Sequence, residues 1–205
     1  HMTLVGLRHL LPPNGEGFLV KSPRWCSHCL CDQARRGDRP HYPLIWSFEH
    51  YRFCEIHQIH LSQQCSACGA IQPFVPIYPS LLHCNTCGEP LLRPTSEPQP
   101  QLDSHVLSPT DFDRWCSRAL IHLVNSIPTL ERDGSLAHFR NNLLTLVLHH
   151  ADGNRAKFCE SIRLQPRAIN GWLGKNERPS LGLLLRIGYA VSIFPAQLFL
   201  PELIQ

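Results

Sequence analysis

The chain has no apolar run long enough to cross a membrane, and no basic, apolar and small-residue leader of the kind that directs secretion. No membrane partner is therefore expected. It also lacks clustered carboxylates and any three-ligand metal pattern with an open fourth position. That removes the usual apparatus of a zinc hydrolase or nuclease and predicts a protein that is not an enzyme. Charge of one sign is missing too: 19 Lys and Arg stand against 16 Asp and Glu, a formal net charge of +3. So small an excess hints at an anionic partner and does no more. Lysine is scarce, with three against sixteen arginines. Arginine suits bidentate contact with phosphate and guanine, although high genomic GC content gives the same bias.

What the chain has is cysteine, ten in 205 residues. Cys65-Ser66-Ala67-Cys68-Gly69 and Cys84-Asn85-Thr86-Cys87-Gly88 are matching knuckles. Each places two sulfurs on a tight turn, and together they supply four thiolates for one tetrahedral zinc. Upstream, Cys26-Ser27-His28-Cys29 and Cys54-Glu55-Ile56-His57 offer three sulfurs and an imidazole for a second zinc. His28, Cys31, His50 and His60 lie near enough in sequence to compete for the fourth place, and the Cys54-x-x-His57 spacing favours His57. Four protein ligands leave no position for water or substrate, so both metals are expected to be structural. A disulfide framework, the other use of many cysteines, belongs to small secreted chains. Cys31, Cys116 and Cys159 are left over as free buried thiols.

This length suggests one or two domains. Residues 1–24 form a lead-in, with His1 a tag remnant, and 25–92 form the double zinc module. Such a module is too small to rely on apolar burial, so metal serves as its staple. Its segments 42–48, 51–53 and 74–78 are aromatic and read as short strands, with helix only near 55–62. These aromatics exceed what so small a module is expected to bury, and the surplus suggests a contact surface. Residues 93–108, with three prolines among polar residues, form a linker.

From 109 to 205 the pattern is helical. Ser108-Pro109-Thr110-Asp111 is a start signal with Ser108 as cap, and a helix runs to Pro128. Ser135 caps another, with Leu136, Phe139, Leu143, Leu144, Val147 and Leu148 on its inner face, ending near Asp152-Gly153. Residues 155–174 fit a helix-turn-helix: Cys159 fills the small crossing position, Phe158, Ile162, Ile169 and Trp172 face inward, and Pro166 opens the second helix. Leu164 sits just past the turn, and Gly174 ends the second helix. Arg163 occupies a turn position often held by glycine and is expected at positive φ. A third helix with Leu181, Leu184, Leu185, Ile187, Gly188 and Ala190, and a short one after Pro195 with Leu198 and Leu203, complete the domain. The fold class is thus a small zinc-bound α+β module with two sites of zinc-ribbon or knuckle type, followed by an all-α helix-turn-helix domain.

In that arrangement Gln165, Arg167, Ala168 and Asn170 point outward at the start of the recognition helix, where Arg pairs with guanine and Asn with adenine. Arg155, Lys157, Lys175 and Arg178 flank the groove of double-stranded DNA and meet phosphates. From Ala151 onward seven basic residues face four acidic ones, an excess equal to the net charge of the whole chain. The alternative is a plain helical bundle with a solvated basic face.

The run Trp25-Cys26-Ser27-His28-Cys29, then Trp46, Cys54-Glu55-Ile56-His57, Leu61 and Cys65-Ser66-Ala67-Cys68-Gly69 resembles the TniQ/TnsD family of transposition target-site selection proteins. Gln165-Pro166-Arg167-Ala168-Ile169-Asn170-Gly171-Trp172-Leu173 and Arg178-Pro179-Ser180-Leu181 resemble the helix-turn-helix of its TnsD-like members. The resemblance covers 25–92 and 108–200. It implies a non-enzymatic adaptor of bacterial transposition, cytoplasmic and nucleoid-associated, that marks an insertion site and recruits a TnsC-type AAA+ ATPase. TnsD-like members bind a chosen chromosomal sequence, whereas TniQ members of CRISPR-associated transposons dock on an RNA-guided effector complex. The family has a helical region before the first knuckle where this chain has residues 1–24. A zinc-containing helix-turn-helix transcription regulator would use the same face, and a pure interaction module would use the zinc half alone.

Overall fold

The computed structural model describes residues 4–12, 18–75, 77, 80–92, 110–174 and 177–201. The chain divides into two compact units, Leu19–Ser117 and a helical unit made of His1–Phe18 with Arg118–Gln205. The lead-in read at 1–24 is thus divided between them. A 3-10 turn at Leu4–Leu7 opens a segment whose Leu7, Leu10 and Leu11 are buried in the helical unit. His9 Nε2 donates to the Gly134 carbonyl at 3.3 Å in that same unit.

The metal unit carries little regular structure. Helix α1, Ser27–Arg36, is where sequence reading expected a knuckle without helix. Cys26 caps it by accepting from Cys29 N–H at 3.5 Å, Arg35 and Arg36 complement its last turn, and Gly37 ends it at φ 74°. Strands β1, Phe53–Cys54, and β2, Ile59–His60, pair antiparallel with Phe53 opposite His60. The helix expected near 55–62 is therefore a turn and a strand. Segment 42–48 holds a 3-10 helix, Leu44–Ser47, in place of a strand, and Phe74, Val75 and Ile77 lie in no strand. Trp25, Trp46, Phe48, Tyr51 and Phe53 are all buried, so most of the supposed aromatic surplus is core. Tyr42 is half-buried and its hydroxyl donates to the Leu81 carbonyl at 3.1 Å. Phe74 is exposed; Tyr78 lies outside the described residues.

Helix α2, Asp111–Asn125, begins in the metal unit and ends in the helical one. Ser108 and Pro109 lie outside the described residues, and the cap in view is Thr110. Its Oγ1 accepts from Asp113 N–H at 3.1 Å while Asp113 Oδ2 accepts from Thr110 N–H at 3.0 Å, a reciprocal capping box. Ser117, fully buried, donates to the Phe53 carbonyl at 2.9 Å, which ties the first half of α2 to β1.

In the helical unit, Pro128 does not simply stop α2. It sits in the first turn of a separate helix α3, Ile127–Asp133, as a proline at that position can. Helix α4, Leu136–Ala151, is capped by Ser135 as the sequence predicts, Ser135 Oγ accepting from His138 N–H at 3.0 Å. Its buried face is Phe139, Asn142, Leu143, Leu146, Val147 and Ala151, while Leu144 and Leu148 are exposed. The polar Asn142 hides the true register of this stripe. Its Nδ2 donates to the carbonyls of Leu198 at 3.1 Å and Leu200 at 2.9 Å, at the end of the 3-10 helix Pro195–Phe199. Phe139 stacks on Phe199 at 5.2 Å and meets Trp172 edge-on at 5.8 Å.

Helices α5, Arg155–Ser161, and α6, Pro166–Gly174, pack together across a sharp turn, and α7 is Leu181–Val191. Phe158, Cys159, Ile162, Leu164, Ile169 and Trp172 are buried as expected. Leu181, Leu184, Leu185, Ile187 and Gly188 bury the inner face of α7; Ala190 is exposed, against expectation, in the helix's last turn. Leu198 is buried and Leu203 is outside the described residues.

The register of α4 is open to direct test. Asn142→Ala strands the buried Leu198 carbonyl and the half-buried Leu200 carbonyl and is expected to lower unfolding stability by about 1–3 kcal/mol in urea titration. Leu148→Ala, on the exposed face, is expected to change it by less than about 0.5 kcal/mol; the reverse order would restore the register read from the leucines.

Candidate metal centres and nucleic-acid face

Two groups of side chains in the metal unit have the donor set and spacing of a metal centre: Cys26, Cys29, Cys54 and His57, and Cys65, Cys68, Cys84 and Cys87. In each, the potential ligand atoms all lie within 4.8 Å of one another. A tetrahedral ion with metal–sulfur bonds of about 2.3 Å and metal–nitrogen bonds of about 2.0 Å puts sulfurs about 3.8 Å apart and sulfur about 3.5 Å from nitrogen. The first group shows Cys29 Sγ 3.6 Å from Cys54 Sγ, and His57 Nδ1 3.5, 3.2 and 3.7 Å from the sulfurs of Cys26, Cys29 and Cys54. The second shows Cys65 Sγ 3.8 Å from Cys87 Sγ and Cys68 Sγ 3.6 Å from Cys84 Sγ. Disulfide sulfurs would be about 2.05 Å apart. The residues present therefore fit a four-coordinate cation.

Local structure explains how each donor is aimed. Cys26 and Cys29 flank the first turn of α1, Cys54 ends β1, and His57 lies in the tight turn to β2. That turn closes with Gln58 N–H on the Cys54 carbonyl at 2.8 Å, Gln58 itself at φ 54°. Of the four competitors for the fourth place, none joins the group. His28 packs its ring on His57 at 5.2 Å, and His60 lies edge-on to Phe53 at 5.8 Å.

The all-cysteine knuckles repeat one fold. Gly69 N–H donates to the Cys65 carbonyl at 2.8 Å and Gly88 N–H to the Cys84 carbonyl at 2.9 Å, the glycines at φ 72° and 75°. An L side chain would be strained at either glycine. Gln72, buried, ties the two: its Nε2 donates to Cys84 Sγ at 3.3 Å and its Oε1 accepts from Asn85 N–H at 2.8 Å.

The thiols respond to these contacts. Burial opposes ionisation of Cys84, but hydrogen bonds from the backbone of Cys87 and Thr86 and from Gln72 bring it down to about 6. In the mixed group, hydrogen bonds from Cys26 and Cys29 hold Cys54 far below the usual thiol range, and hydrogen bonds to Cys26 and Cys54 push Cys29 up. Thiols in such contact do not all ionise unless a cation joins them. Away from the centres, burial pushes the Cys116 thiol up to about 12 and raises that of Cys159, so both are inert; Cys31 is half-buried.

On the helical unit, Gln165, Arg167 and Asn170 are exposed along α6 and the residue before it, and Ala168 is half-buried. Arg163, in the turn, has φ 53° as expected, and Leu164 N–H donates to the Cys159 carbonyl at 2.8 Å. Arg155 comes together with Asn170, its Nη1 donating to Asn170 Oδ1 at 3.5 Å. Lys157 pairs with Asp152 at 3.4 Å. Arg178 is exposed, but its guanidinium donates to the Arg8 carbonyl at 2.7 Å, so one of its donors serves the protein itself. Lys175 lies outside the described residues. Sequence reading missed Asp32 and Gln72 beside the metal groups. It also missed Arg140, whose Nε donates to the Trp172 carbonyl at 3.0 Å near the end of α6. No spacing rule marks a residue whose partner is another side chain's second atom.

No protein-family model matches the chain, and no curated protein matches it.

Two such groups predict two tightly held divalent ions per chain. Cobalt(II) titration of the metal-free chain is expected to develop thiolate charge-transfer absorption up to two equivalents. Cys84→Ser is expected to abolish one equivalent and destabilise the knuckles, since binding there is largely folding energy. Saturation at one equivalent in the unaltered chain would discard one of the groups.

Proposed function

We propose that the chain is a DNA-binding target-site selector of the TniQ/TnsD kind, held together in its metal unit by two zinc ions and reading double-stranded DNA through a helix-turn-helix. The observation that carries this reading is the division of α6 and the residue before it. Ile169 and Trp172 are buried, while Gln165, Arg167 and Asn170, the side-chain types that reach base edges, are exposed around its N-terminal end.

Arg155 belongs to the same face. Its contact with Asn170 orients the carboxamide and leaves guanidinium donors for a phosphate. Lys157 and Arg163 are exposed on the adjoining helix and turn and add positive charge that positions without reading sequence. Zinc, when bound, supplies a fixed tetrahedral junction; with four protein donors at each centre it is structural. The chain has no enzymatic role in this reading. Recruitment of a TnsC-type ATPase, and a bacterial cytoplasmic, nucleoid-associated location, rest on the family resemblance.

Selection from random duplexes followed by anisotropy titration tests the reading. Arg167→Ala and Asn170→Ala are each expected to cost about 1–3 kcal/mol on the selected site and to relax specificity at one position. Lys157→Ala is expected to weaken all sequences alike and flatten the salt dependence. If selection enriches no sequence, or Arg167→Ala weakens every duplex equally, base reading by α6 is wrong.

A further inference from the structure

The mixed metal group has a fifth participant that is not a donor to the ion. Asp32 lies on α1 three residues beyond Cys29, so the two share a helix face. Its Oδ2 accepts from His57 Nε2 at 2.9 Å. The opposite ring nitrogen, Nδ1, is the one 3.2–3.7 Å from the three sulfurs. A neutral imidazole carries its proton on one nitrogen and its lone pair on the other, so a bond that keeps the proton on Nε2 leaves Nδ1 free to donate. Arg35 Nη1, 3.5 Å from the other carboxylate oxygen, holds Asp32 in turn. His57 lies on a short turn with its side chain only 19% exposed, so its ring is held mainly by protein contacts.

We propose that Asp32 is a positioning residue of the Cys26–Cys29–Cys54–His57 centre: its carboxylate fixes His57 in the tautomer that presents Nδ1 and thereby sets that centre's affinity for zinc. The inference rests on reading those four residues as a zinc site. It also separates the two centres. The all-cysteine centre has no imidazole to orient, and its neighbouring polar group, Gln72, is a neutral amide acting directly on sulfur. The mixed centre thus depends for the aim of its one nitrogen donor on a residue that never meets the ion.

The test uses the full chain and zinc competition against a chelator of known affinity, with cobalt spectra assigning each equivalent to its centre. Asp32→Ala is expected to weaken the mixed centre about 10–100-fold and leave the all-cysteine centre unchanged, with Asp32→Asn recovering part of the loss. Nitrogen-resolved NMR of the zinc-loaded chain is expected to show His57 bound through Nδ1, with an Nε2 proton protected from exchange that Asp32→Ala exposes. Unchanged affinity of the mixed centre in Asp32→Ala overturns the proposal, and so does equal weakening of both centres, which reports general loss of structure. Should Asp32→Ala fail to fold, Asp32→Asn and the unaltered chain's NMR decide, and binding through Nε2 overturns it. A chain that binds one zinc, at the all-cysteine centre alone, refutes the underlying site reading and the inference with it. Two zincs with an indifferent Asp32 refute the inference alone.

Discussion

Thiolate crowding is the constraint on which the Leu19–Ser117 unit depends. Among its described residues it holds two strands of two residues each, one ten-residue helix, a 3-10 turn and the start of α2. Sheet hydrogen bonding on that scale cannot order a chain by itself. Buried Trp25, Trp46, Phe48 and Phe53 give it a core; four of the candidate donors lie on the two Cys-x-x-Cys-Gly turns and the other four on the first turn of α1, the end of β1 and the turn that follows. In the mixed group three thiols and an imidazole converge within 4.8 Å. Hydrogen bonds among the thiols hold Cys54 low and push Cys29 up, so the sulfurs share their protons unequally. A divalent ion bound there would join the first turn of α1 to the β1–β2 turn through four donors.

The helical unit solves a different problem. Its apolar faces are ample, and its difficult places are the chain reversals between helices. Asn142 satisfies the carbonyls that end the Pro195–Phe199 turn, and Arg140 satisfies one at the close of α6. Asp152, Arg163 and Ser192 adopt positive φ where glycine would be cheaper. Asp152 and Ser192 are helix C-caps, where a single left-handed residue frees the chain to turn away. Arg163 is the costlier choice, since its side chain forms no local turn of its own as Asn or Asp does.

How much of this is legible in sequence follows from which interactions are local. The eight candidate metal donors are legible because each pair sits on one turn, and turn spacing is written in the chain. The α5–α6 pair is legible for the same reason: its crossing residue, its turn and its inner face fall within twenty consecutive residues. The helix α1 was missed because a cysteine caps it, and thiols are absent from the usual list of caps. The inner face of α4 was misread because leucines at 144 and 148 mimic helical spacing, while the residue that belongs there is an asparagine. Its suitability depends on carbonyls more than fifty residues away, and no local pattern encodes that. Pro128 was read as a stop because proline ends a helix and begins one with equal ease; which it does depends on the residues after it.

The same logic ranks the residues around each candidate site. A side chain proposed as a donor or a base reader is recognisable by its own chemistry, so Cys65 or Arg167 can be named from the chain alone. A residue that acts by fixing another is recognisable only once the pair is seen. Asp32, on a helix face, would pass for a solvated carboxylate paired with Arg35, three residues on, an arrangement worth little by itself. Its other oxygen meets the far side of an imidazole twenty-five residues along the chain, and that contact gives the carboxylate its consequence. Arg155 stands in the same relation to Asn170. In both cases a charged group meets a neutral side chain far along the sequence, and under the readings proposed above it would hold that side chain toward the ion or the base. The entropy of such a restriction would be met in folding and not again on binding.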